Sequence, residues 1–167
     1  IGQEEHPDDY QILIDRFIKS LNISKDDGLL LVGHGGLGSG NSSYGNLQFK
    51  LIRDGLTNVR IAVLENAPYV ADVAMPWEWL DGKRPNTIYV HPLLLVLGDH
   101  AQNDLFGDEE DSVINELADY GYEVKPIHSA LGEYEAIQDI FRQHVQDCID
   151  DLYGKRSPHR PTIPNIK

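Results

Sequence analysis

Hydrophobic positions along the chain follow two alternating rhythms. From Asp8 to Leu21, residues Tyr10, Ile12, Leu13, Phe17, Ile18 and Leu21 recur near a 3.6-residue period, which predicts an amphipathic helix. Leu29-Leu30-Leu31-Val32 is a short continuous apolar run, as expected of a strand buried on both faces of a parallel sheet, and it ends in Gly33-His34-Gly35-Gly36. A Gly/Ser/Asn-rich loop follows, in which Asn41, Ser42 or Ser43 can cap a helix reaching Arg53.

Val59–Leu64 reads as a second strand ending at Glu65. Tyr69–Leu80 reads as a helix interrupted at Pro76, because proline lacks the amide donor and clashes with the preceding turn. Thr87–Leu97, rich in β-branched and apolar residues, predicts the third and longest strand; Gly98–Asp104 follows, then a helix from Asp108 to Tyr120. Tyr122–Ile127 predicts a fourth strand. Tyr134–Leu152 predicts a closing helix with Ile137, Ile140, Phe141, Val145, Cys148, Ile149 and Leu152 on one face.

Strands alternating with helices imply an α/β fold: an open, mainly parallel four-stranded sheet with helices on both faces. Right-handed crossovers then bring the carboxyl ends of the strands to one edge. Residues 1–154 form the expected domain. Residues 155–167, with three prolines, four basic residues and no periodicity, form an expected extended basic arm.

Composition narrows the partners. A chain of 167 residues can bury one core without disulfide staples, and 41% hydrophobic with 25% charged residues is ordinary for a globular domain. The net charge of −13, from 27 acidic against 14 basic residues, would repel phosphate backbones and argues against nucleic acid as a partner. No apolar run approaches the roughly 18–20 residues of a membrane span. The single Cys148 excludes an intramolecular disulfide and a thiolate cluster, and reads as a small filler of the last helix. The chain begins at Ile1 with no leader-like pattern, so the expectation is a piece of a longer or processed polypeptide, cytoplasmic, with the periplasm left open.

Open α/β sheets bind ligands just outside the carboxyl ends of their strands. His34 follows the first strand, Glu65 ends the second and His100 follows the third. Two imidazoles and a carboxylate suit Co²⁺, Ni²⁺, Fe²⁺ or Zn²⁺. Three protein donors leave coordination positions open, as metal handling requires. The plain alternative makes each histidine a hydrogen-bonded loop residue and Glu65 a helix cap. Three such residues at equivalent positions, with His34 flanked by glycines and His100 two residues after Gly98, favour a shared site.

Gly33-His34-Gly35-Gly36-Leu37-Gly38 formally satisfies G-x-G-x-x-G, but a bulky imidazole fits a pyrophosphate cradle poorly, and no nucleotide is expected. In Gly107-Asp108-Glu109-Glu110-Asp111-Ser112, Asp108 can be the N-cap of the following helix, with Asp111 completing a reciprocal bond. The alternative is an acidic rim of Asp104, Asp108 and Glu109 that attracts cations or accepts protons. His91, ahead of Pro92, reads as a core or edge histidine, and His6, His128, His144 and His159 as surface residues.

Pro92-Leu93-Leu94-Leu95-Val96-Leu97-Gly98-Asp99-His100-Ala101-Gln102-Asn103-Asp104, with Gly107 to Ser112 after it, resembles the signature of the anaerobic sirohydrochlorin cobaltochelatase family. Val32-Gly33-His34-Gly35, Leu131-Gly132-Glu133 and Ala136-Ile137-Gln138-Asp139-Ile140-Phe141 are similar to the same family, and the likeness runs from Asp8 to Asp150, the family's C-terminal half. The resemblance implies a class II chelatase-type fold of two similar halves enclosing a tetrapyrrole cleft. It implies ATP-independent insertion of Co²⁺ into sirohydrochlorin in cobalamin biosynthesis, a lyase-class reaction. On this resemblance His34 and His100 are catalytic, His34, Glu65 and His100 hold the metal, and Gly35, Gly98, Asp99 and Asn103 contact substrate.

Two departures bear on substrate contacts more than on metal binding. Gly36-Leu37-Gly38-Ser39-Gly40 replaces a His/Pro-containing stretch, and Val113 stands where an aromatic is common. The N-terminal half of the family chain is not in this sequence, so a separate chain or a second copy is the expected partner. The rival readings are a non-catalytic carrier of metal, haem or another tetrapyrrole, and a metal-binding domain that works through oligomerisation.

Overall fold

A computed structural model describes residues 8–36, 38–74 and 84–154, with only the backbone at residues 38, 39 and 100. Four parallel strands form one sheet: β1 Gly28–Gly35, β2 Val59–Glu65, β3 Thr87–Pro92 and β4 Glu123–Pro126, in the order β2-β1-β3-β4. The described helices are α1 Asp9–Ile12, α2 Ser42–Arg53, α3 Val70–Ala74, α4 Asp99–Phe106, α5 Val113–Asp119 and α6 Glu135–Leu152. Helix α1 runs on through a π-type turn, Leu13–Phe17, and a 3₁₀ turn, Ile18–Leu21. Its first turn is capped by Asp8, whose side chain accepts from the Gln11 amide.

The continuous apolar run of β1 makes sense as the sheet's interior. Its side chains alternate between two cores. Leu29 and Leu31 join Ile14, Phe17, Leu47, Leu51 and Ile137 on the face covered by α1, α2 and α6. Leu30 and Val32 join Ala62, Ile88, Leu105 and Leu117 on the face covered by α3, α4 and α5. The predicted fold class is the observed one, and no described helix is long and apolar enough to cross a membrane.

Four boundaries differ from the sequence pattern. The third strand stops at Pro92 and does not continue to Leu97. Proline offers no amide to a neighbouring strand, and beyond it Leu94 and Leu95 turn their carbonyls to Leu131 and Gly132. Helix α4 occupies Asp99–Phe106, where no amphipathic period marks it; it closes at Gly107, where a Cβ would lie 3.1 Å from the Asn103 carbonyl carbon. Helix α5 begins after Ser112 as N-cap, so Asp108 does not cap it and the acidic run precedes it. The Asn115 amide holds that run by donating to the carbonyls of Gly107 and Glu109.

The fourth difference lies on α6. Ala136 and Ile137 are buried, but Phe141, Val145, Cys148, Ile149 and Leu152 are exposed, and Cys148 is therefore no core filler. Beyond Ile140 the helix turns polar residues to its own domain instead. Asp147 is buried and accepts from Gln143, and His144 Nε2 lies 3.0 Å from Asp9. The far part of the Tyr69–Leu80 segment with Pro76, the histidines at 6 and 159, and the arm 155–167 lie outside the described residues.

Candidate functional site

In the order β2-β1-β3-β4 the chain leaves β1 toward β2 on one side, whereas β3 lies on the other. The carboxyl ends of β1 and β3 therefore flank the switch point where α/β sheets open a ligand crevice. Residue Gly35 is paired in register with Glu65, which sets His34 and Glu65 on adjacent strand ends. His34 Nδ1 is 4.0 Å from Glu65 Oε2, and both side chains are more than half exposed, at 59% and 62%. Two ligands each roughly 2.0–2.2 Å from a common ion can be at most about 4.4 Å apart, so the pair can share one small divalent cation with little movement.

The glycines around His34 have separate reasons. At Gly33 a Cβ would lie 2.6 Å from Cζ and the hydroxyl oxygen of Tyr44, in the first turns of α2. At Gly35, φ is +82°, and a Cβ would collide with the Glu65 carbonyl oxygen and lie 2.9 Å from the Glu65 carbonyl carbon. The Gly35 amide also donates to Tyr44 Oη over 3.4 Å. Helix α2 and strand β2 thus hold the backbone on each side of His34 while leaving its ring in solvent. Tyr44 is a residue that pattern reading misses, since its position at the start of a helix carries no chemical signal.

His100 is the second residue of α4, whose N-terminus follows the loop from β3, so its backbone belongs to the same edge. Gly98 is the helix N-cap; Asp99 and Asn103 are exposed on α4. Asp104 is half-buried, and Asp108 and Glu109 are exposed in the loop to α5. Among the described residues no group of three or more His, Cys, Asp or Glu is close enough to hold a metal ion. The described part of the site is the pair His34–Glu65, with the His100 backbone near by in topology.

His91 belongs to the core. It is fully buried, with Nδ1 2.7 Å from the Pro92 carbonyl and Nε2 2.9 Å from Tyr134 Oη, and its ring meets Phe17 edge-on at 5.0 Å. A carbonyl can only accept, so Nδ1 carries the proton and Nε2 accepts from the tyrosine. Burial holds its pKa below the ordinary 6.5, with the bond to Pro92 opposing that shift. His128 is exposed and stacks obliquely on Phe106 at 4.5 Å.

These features define a doubly wound α/β domain with imidazole and carboxylate groups at its switch-point edge. The model of the family described as cobalt chelatase (CbiK) matches residues 1–150, and the chain belongs to that family. It is 26% identical over 129 residues to the sirohydrochlorin cobaltochelatase of Salmonella typhimurium (strain LT2), covering 77% of this chain and 47% of that protein. It is 28% identical over 127 residues to the sirohydrochlorin cobaltochelatase CbiKC of Nitratidesulfovibrio vulgaris (strain Hildenborough), covering 76% and 44%. The chain thus spans about half the length of the curated relatives it matches. A crystal structure described as a cobalamin (vitamin B12) biosynthesis CbiX protein, from Marinobacter aquaeolei VT8, has the same fold: the TM-score is 0.58 at 18% identity, over 76% of this chain and 98% of that one.

Proposed function

We propose that this chain supplies the metal site of a sirohydrochlorin cobaltochelatase, with His34, Glu65 and His100 as ligands of the incoming Co²⁺. The observation that carries the reading is the 4.0 Å approach of His34 to Glu65 at paired strand ends, on the edge where the loop to His100 also emerges. Membership of the cobalt chelatase family and the names of its relatives supply the substrate.

Metallation replaces two pyrrole N–H bonds by Co–N bonds and releases two protons, with no change of oxidation state and no need of ATP. Two things are asked of the protein: to hold the ion loosely, and to take the protons. The solvent-facing side chains of His34 and Glu65 meet the first demand, because an ion held by few protein donors can be passed to the ring nitrogens. An imidazole at His34 or His100 meets the second, because a ring nitrogen can accept a proton as well as bind a metal. Gly35, Gly98, Asp99 and Asn103 line the edge that faces the macrocycle, and Asp104, Asp108 and Glu109 form an acidic rim that draws cations toward it. Ni²⁺, Fe²⁺ and Zn²⁺ suit the same donor set. The opposite wall of the cleft comes from a second half-sized domain, as an N-terminal half or another copy.

The test is to mix the full chain with sirohydrochlorin and Co²⁺ and follow the absorbance change of metallation, alone and with the N-terminal half of a relative added. A rate above the spontaneous one is expected, and its loss in His100→Ala. No acceleration under either condition would sink the enzymatic reading. Co²⁺ affinity unchanged in His100→Ala would remove that residue from the site.

A further inference from the structure

The loop between β3 and α4 carries an apolar surface that packing does not explain. Leu93 joins one core and Leu94 and Leu97 the other, whereas Leu95 is 48% and Val96 74% exposed. The loop is not slack. The Leu131 amide donates to the Leu94 carbonyl at 2.8 Å, and the Gly132 amide to the Leu95 carbonyl at 3.0 Å. The Glu133 carboxylate closes the bracing turn by accepting from the Ala130 amide at 2.7 Å. The fit is close enough that a Cβ at Gly132 would lie 2.7 Å from the Leu95 carbonyl oxygen.

Single exposed aliphatic residues are ordinary on a protein surface. Two consecutive ones, between the tied Leu94 and Leu95 carbonyls and the core side chain of Leu97, are a standing surface and not a fluctuating loop. Their place is also specific. They follow the carboxyl end of β3, the strand paired with β1, and lie a few residues before Gly98 and His100. A chain of net charge −13 gives a carboxylate-bearing tetrapyrrole no long-range attraction, which leaves contact with its flat, apolar faces as a natural source of binding.

We infer that Leu95 and Val96 form an apolar ledge on which one face of the tetrapyrrole ring rests, so that its nitrogens meet an ion held at the His34–Glu65 edge. The inference rests on the chelatase reading for the identity of the ring. It assigns the two residues a role in binding the macrocycle and none in binding the metal.

The experiment compares three full-length proteins: wild type, Leu95→Gln/Val96→Thr, and Leu95→Met/Val96→Ile. Sirohydrochlorin is titrated into each without metal, and Co²⁺ without macrocycle. The polar pair should weaken sirohydrochlorin binding about tenfold or more and leave the Co²⁺ Kd within about twofold. The apolar pair should bind like wild type, which separates lost apolar contact from damaged folding. Equal sirohydrochlorin affinity in the polar pair overturns the ledge and leaves the chelatase reading standing. Sirohydrochlorin binding by wild type without metallation overturns turnover and leaves the ledge. A polar pair that changes the molecular mass by light scattering but not sirohydrochlorin affinity marks the patch as a protein–protein face and overturns the inference.

Discussion

The backbone carbonyl of Glu65 lies where a side chain on Gly35 would have to begin. The two residues are register partners at the ends of β2 and β1, and the left-handed φ of +82° at Gly35 lets the strands close to this distance. Gly35→Ala therefore meets both an unfavourable backbone conformation and a collision with a main-chain oxygen that cannot rotate away. The expected cost is about 2–4 kcal/mol. Urea unfolding gives the number, and the Co²⁺ Kd should rise with it, because relief requires moving Glu65 away from His34. A variant as stable as wild type would show that the strand ends do not approach so closely.

Gly33 answers to a different neighbour. The Tyr44 ring fills the space its Cβ would need, so the cost of Gly33→Ala should belong to the pair and not to residue 33 alone. In the wild-type background about 2 kcal/mol is expected; in a Tyr44→Ala background most of that cost should vanish. The double-mutant cycle should report a coupling of about 1 kcal/mol or more. Additive effects would mean that ring and strand do not touch.

How far such relations are legible in the chain depends on their kind. The apolar run of β1 and the positions of His34 and Glu65 follow from local pattern, because a strand buried on both faces leaves its polar residues at its end. The limit of β3 does not: Leu93–Leu97 is as apolar as a strand, and only the partners of Leu94 and Leu95 show that it has left the sheet. Helix α4 is short, and its first-turn Asp99 and His100 give no apolar period. On α6 periodicity finds a stripe but cannot tell which part of it meets the domain. The structure makes that division testable: Ile137→Ala should cost about 2–5 kcal/mol, as in a packed core, and Val145→Ala less than about 0.5 kcal/mol. Thermal or urea unfolding of the two variants decides it.

His91 should make the fold sensitive to mild acid. Burial favours its neutral ring, so its folded pKa lies below the 6.5 expected of an unfolded chain. Between the folded value and 6.5 the unfolded state binds more protons, and stability therefore rises with pH across that window. Above 6.5 both states are neutral and the contribution is flat; as pH falls below 6.5 stability is lost until the folded pKa is reached. Protonation also puts a hydrogen on Nε2, where the ring now accepts from Tyr134. Urea unfolding near pH 7.5 and near pH 5.5 should show weaker folding at the lower value. His91→Gln, which can still donate and accept but does not titrate there, should flatten that difference; an unchanged slope would assign it to other groups.

His34 and Glu65 make the sharpest prediction, because a shared ion and two independent solvent-facing groups behave differently under mutation. Their side chains are 4.0 Å apart and well exposed, so removing either should leave stability within about 0.5 kcal/mol. If both bind the same Co²⁺, His34→Ala and Glu65→Gln should each weaken binding on the order of tenfold or more. The double variant should then lose less than the product of the two, since an ion already released by one change has little left to lose from the other. Isothermal titration of Co²⁺ into the four proteins gives the cycle directly. Independent factors that multiply would place the two side chains on separate ions, and two unchanged single variants would take the metal away from this edge altogether.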